Sequence, residues 1–109
     1  MSIIAIVQDA KTEEEKLFNI PISTEKFFKE VWLPLAKDLD LQWIPVFQTG
    51  IEILKEDLPN IFSELDKLEE LAKRTLNKEQ FSQIHTRLNL IRDNLPDGFI
   101  RDGAVIYIG

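Results

Sequence analysis

His85 is the single histidine of the chain, and histidine is the side chain best suited to act as a base or a metal ligand near neutral pH. It stands one turn after Phe81 and one turn before Leu88, at the border of an apolar helical stripe. With no second histidine and no cysteine to join it, His85 reads as a packed or boundary residue, not a catalytic one. The serines are Ser2, Ser23, Ser63 and Ser82, and none sits in a Gly-x-Ser-x-Gly elbow between strand and helix. Ser23 reads as a helix cap, whereas Ser63 and Ser82 fall inside helices.

Carboxylates are the remaining source of chemistry. Asp93, Asp97 and Asp102 surround a loop containing Gly98 and Gly103. A calcium loop requires acids at closely alternating positions and a terminal glutamate, and this loop has neither, so it reads as two aspartate-glycine turns. Asp38 and Asp40 follow the first long helix, and Glu13, Glu14 and Glu15 lie in a polar segment. No spacing among them fixes two carboxylates across a cleft, as a hydrolase needs. With four glycines, Gly50, Gly98, Gly103 and Gly109, the chain has no phosphate-cradling loop. No catalytic, cofactor or metal site is therefore expected.

Binding remains. The net charge of −6 is uneven: residues 52–70 hold seven acids and two bases, whereas residues 71–109 hold six bases and four acids. Glu56, Asp57, Glu64, Asp66, Glu69 and Glu70 thus form a candidate surface for a basic protein partner, their plainer role being a solvated helix face. The charge opposes contact with phosphate backbones, so nucleic-acid binding is not expected. Phe27, Phe28 and Trp32 read as core, with a pocket lining as the alternative. Trp43 and Phe47 share one side of an expected strand and would form an apolar interface patch if that strand is an edge.

The elements that position these residues follow from periodicity. Leu58, Ile61, Leu65, Leu68 and Ala72 recur at steps of three and four, and so do Phe81, Ile84, Leu88, Ile91 and Leu95. Each set occupies one helical face, so residues 56–95 predict a long antiparallel helical hairpin broken near Leu76-Asn77. Asn77 and Gln80 mark the start of the second helix as a capping box. Glu69–Lys73 and Glu70–Arg74 are expected pairs one turn apart.

Upstream, residues 3–7 are apolar at every position, which suggests a strand covered on both faces or one deep in a sheet. Residues 9–16 read as a polar loop and Leu17–Ile22 as a second strand, in which Pro21 marks a sheet edge or a strand end. Ser23 or Thr24 caps a helix that Pro34 should kink or split. Residues 42–48 are expected as a third strand, and Ala104–Ile108 as the last, beside the first.

The order is β-β-α-β-α-α-β, which predicts an α+β two-layer fold: a small, mostly antiparallel sheet of about four strands packed by three helices. At 109 residues the chain fits a single domain, 1–109. The opening segment lacks the basic leader of a secretory signal, no apolar run approaches the roughly 20 residues of a membrane span, and cysteine is absent. These features favour a cytoplasmic protein without membrane attachment. The leading functional expectation is a non-enzymatic interaction domain of inhibitor, immunity or adaptor type. The alternatives are a ligand binder or enzyme with a pocket between helices and sheet, and a homo-oligomeric structural protein.

Overall fold

A computed structural model describes all residues, Met1–Gly109. Strands β1 (Ser2–Gln8), β2 (Asn19–Thr24), β3 (Ile51–Ile53) and β4 (Val105–Ile108) form one antiparallel sheet in the order β2-β1-β4-β3. The terminal strands are neighbours, with Ala5 opposite Ile108 and Gln8 opposite Val105. One face of the sheet presents Ile3, Ala5, Val7, Ile20, Ile22, Ile53, Ile106 and Ile108 to the helices. This is the expected two-layer α+β fold, and its 27 buried apolar residues make one continuous core.

Helices α4 (Leu58–Thr75) and α5 (Lys78–Asn94) are the two arms of the hairpin. Leu58, Ile61, Leu65, Leu68 and Ala72 are buried on α4, as are Ile84, Leu88 and Ile91 on α5. Asn77 caps α5 by accepting the Gln80 N–H at 2.8 Å. On the other face Ile4, Ile6 and Val105 are half-buried and Tyr107 is exposed, so the apolar run of β1 reflects its interior place in the sheet, between β2 and β4, and not full cover on both faces.

The first helical segment shows what Pro34 does. It begins as α2 (Glu25–Phe27), capped by the Thr24 hydroxyl, passes through a π-helical turn (Phe28–Trp32) and continues as α3 (Leu33–Asp38). Pro34 has no N–H for the Glu30 carbonyl, and the wider turn, in which Leu33 N–H reaches back to Phe28 O, accommodates the ring. Phe28 and Trp32 stack with ring centroids 5.5 Å apart inside the core, as expected of them. The segment ends with Asp40 in the left-handed region (φ +55°), where Leu41 N–H bonds to Ala36 O and Asp40 N–H to Lys37 O.

Three local expectations are corrected. Residues 9–16 are not all loop: Glu13–Leu17 forms helix α1, because Thr12 and Glu15 complete a reciprocal cap. The second strand accordingly starts at Asn19, two residues later than expected. Residues 42–48 are not a strand; Ile44–Phe47 is a 3-10 turn. Pro45 fits the first turn of a helix, and the carboxylate of Glu64 accepts the N–H groups of Gln42, Trp43 and Ile44, which a strand would have offered to a neighbour. The three-residue repeat sends Ile44 and Phe47 together into the core.

Candidate functional site

The loop Phe99–Gly103 is the meeting point of three clefts, all of them lined by Arg101. Arg101 is held in place from far along the chain. Its Nε donates to Glu15 Oε2 at 3.1 Å, and Glu15, buried in α1, also accepts Lys11 N–H at 2.9 Å and Thr12 N–H at 3.2 Å. The Lys11 hydrogen bond, with those of Thr12 and the Arg101 charge, outweighs burial and holds the Glu15 carboxyl below its usual range.

The largest of the three clefts, about 480 Å³, lies between the segment after β3 and this loop. Leu54 and Ile100 line it and are 41% and 72% exposed, which places two aliphatic side chains at the surface beside one concavity. Glu56 and Asp102 stand in the same walls with Lys55. On the other side of Ile100 the second cleft adds Glu13 and Glu14. Because Glu15 neutralises Arg101, the charges left around the two apolar side chains are mainly negative. In the third cleft the side-chain oxygen of Gln8 is buried without a hydrogen-bond donor.

The residues singled out in the sequence are dispersed by the fold. Glu64 is buried and caps the 3-10 turn, and Phe47 is in the core, so neither is presented to a partner. Trp43 is half-buried against the core. Asp57 accepts the Leu54 N–H at 2.8 Å. Asp66 and Glu69 are bound across the hairpin by Arg92, at 2.9 and 3.0 Å. The expected Glu69–Lys73 pair is thus replaced by a contact with α5, and in place of the Glu70–Arg74 ion pair Arg74 Nε faces the Glu70 carbonyl oxygen at 3.5 Å. Glu56 and Glu70 are exposed and have no ion-pair partner, and of the two only Glu56 lines the cleft.

His85 belongs to the Glu69–Arg92 network. Its ring stacks on Phe81, 5.4 Å between centroids, and its Nδ1 faces Glu69 Oε2. Arg92 Nη1 donates to Asn89 Oδ1, which turns the Asn89 amide nitrogen toward His85 Nε2 at 3.2 Å. A carboxylate oxygen can only accept, so Nδ1–H donates to Glu69, and Nε2 lies beside the Asn89 amide. Both ring nitrogens are then engaged. Burial raises the Glu69 carboxyl, but the His85 hydrogen bond and the Arg92 charge prevail and leave it below its usual range.

No protein-family model matches the chain, and no curated protein or solved structure is detectably similar to it.

Leu54 and Ile100 were not among the residues singled out from the sequence, and Asp102 was read there only as part of a turn. The available signal was Ile100 itself, an isoleucine between two aspartate-glycine turns, where no helical or strand period gives it an inward direction. No helix is long and apolar enough to cross a membrane.

Proposed function

We propose that this chain is a small acidic protein-interaction domain of inhibitor, immunity or adaptor type, working in the cytoplasm without catalysis of its own. The observation that carries the reading is the pair Leu54 and Ile100, exposed beside one cleft whose walls include Glu56 and Asp102. Exposed aliphatic side chains ringed by like charges suit a partner segment that supplies an apolar anchor flanked by lysine or arginine. The charge of −6 supports a basic partner and opposes both nucleic acid and a second copy of the same chain. The engagement of both nitrogens of His85 supports interaction over acid–base chemistry.

A pull-down from the native host, at low and high salt, tests the proposal with three baits: the unaltered chain, Ile100→Asp, and Glu56→Lys with Asp102→Lys. The expected result is a basic protein held by the unaltered chain at low salt, released by high salt and lost from both altered baits. Equal capture by all three baits overturns the assignment of the surface. A dimeric mass in solution that Ile100→Asp converts to a monomer overturns the partner and favours a homo-oligomer.

A further inference from the structure

A separate cleft of about 310 Å³ lies between the end of β2 and α5, and six of its seven lining residues are polar. Its walls carry one cation, Arg87, and no carboxylate, in a chain whose acids outnumber its bases. Arg87 Nη1 donates to Pro21 O at 3.0 Å, which anchors the guanidinium against β2 and leaves its other N–H groups available. The ion pairs of the chain engage Arg92 and Arg101, and His85 faces Glu69, so the charge of Arg87 has no carboxylate partner. Thr24 uses its hydroxyl oxygen to accept the Phe27 N–H at 3.1 Å, and its own O–H remains free to donate. Ser82 adds a hydroxyl to the same wall, and Phe27 is the one apolar residue of the lining.

We infer that this cleft binds a small phosphate-type oxyanion, carried on a phosphomonoester whose organic part lies against Phe27. Arg87 supplies the charge-assisted contact and Thr24 and Ser82 supply hydroxyl donors. A phosphate group has more acceptor oxygens than a carboxylate, and a guanidinium with flanking hydroxyls matches it in charge and in donor number. The volume is at the lower end of small-molecule sites and exceeds what a bare ion needs. The inference is independent of the interaction surface at Ile100, which involves other residues.

Titration of the 15N-labelled chain with inorganic phosphate, phenyl phosphate and acetate, at constant ionic strength, tests it. The expected result is amide shifts confined to the neighbourhood of Thr24, Ser82 and Arg87, with phenyl phosphate binding more tightly than phosphate and acetate more weakly. Arg87→Gln should weaken phenyl phosphate by about tenfold or more, and Ser82→Ala, at an exposed position, by a few-fold with the fold intact. Arg74→Gln, on the exposed surface of α4, should leave binding unchanged. Unchanged affinity in both Arg87→Gln and Ser82→Ala overturns the site. Shifts scattered over the lysines and arginines, equal loss in Arg74→Gln, or acetate binding as tightly as phosphate overturns it as well.

Discussion

Glu64 accepts the backbone N–H of Ile44 at 3.1 Å across a separation of 20 residues, and the same carboxylate takes the N–H groups of Gln42 and Trp43 at 2.9 Å. A side chain of α4 therefore does for the turn before β3 what a local cap does for a helix, and it holds Ile44 and Phe47 in the core. Glu64→Ala removes the acceptor and strands three N–H groups, one of them fully internal. The expected loss is about 3 kcal/mol, and Glu64→Gln, which keeps one acceptor oxygen, should lose about half of that. Urea unfolding monitored by tryptophan fluorescence measures both, and a loss below about 1 kcal/mol in Glu64→Ala would contradict the capping role.

Acid should unfold the chain partly through Glu15 and Glu69. Both carboxyls are held below their usual value of 4.5 in the folded chain. A carboxyl whose folded pKa is depressed adds stability above its unfolded pKa, and that contribution is lost as pH falls through the folded pKa. The urea midpoint should thus be steady near neutrality and drop below about pH 4.5. Glu15→Gln and Glu69→Gln should each be less stable at pH 7 and show a shallower acid dependence. Parallel pH curves for these variants and the unaltered chain would exclude the two carboxyls as the cause.

Gly50 and Gly103 both have positive φ, +107° and +78°, but their surroundings differ. A Cβ at Gly50 would overlap the Tyr107 hydroxyl oxygen and press on the edge of its ring, whereas nothing lies within 4 Å of one at Gly103. Gly103→Ala should cost about 1 kcal/mol from backbone strain alone. Gly50→Ala should cost about 2 kcal/mol or more, and shortening Tyr107 to alanine in the same chain should recover part of the excess. Equal destabilisation by the two glycine replacements, measured by thermal unfolding, would show that Tyr107 does not confine Gly50.

Asp40 carries a side chain in the left-handed region at an exposed helix end. Glycine adopts that conformation without the clash between Cβ and carbonyl oxygen. Asp40→Gly should raise stability by about 0.5–1 kcal/mol, read as a higher urea midpoint with an unchanged slope. A lower midpoint would mean that the Asp40 carboxylate supports the turn in a way the backbone geometry does not express.

The fold and the candidate site were legible to different depths. The spacing of Leu58 to Ala72 and of Ile84 to Leu95 states which helical face is inward, because that information lies within one or two turns of chain. Pro21 marked a sheet edge or a strand end and Pro34 a disturbed helix for equally local reasons; β2 is an edge strand, and the helix is disturbed before Pro34. Residues 42–48 misled because a run of apolar side chains with Pro45 is compatible with either an edge strand or a tight helical turn, and a carboxylate on α4 chose between them.

By itself the sequence determined the two-layer α+β plan, the hairpin and the inward faces of its helices, since these rest on periodic hydrophobicity and local capping. Only the tertiary structure decided the fate of each charge. It buried Glu64 against backbone N–H groups, tied Asp66 and Glu69 to Arg92, and joined Glu15 to Arg101 over a separation of 86 residues. Which acid finds a partner depends on distances between chain-remote atoms, and linear spacing does not contain them. Leu54 and Ile100 became a shared surface for the same reason: the loop after α5 closes beside the end of β3.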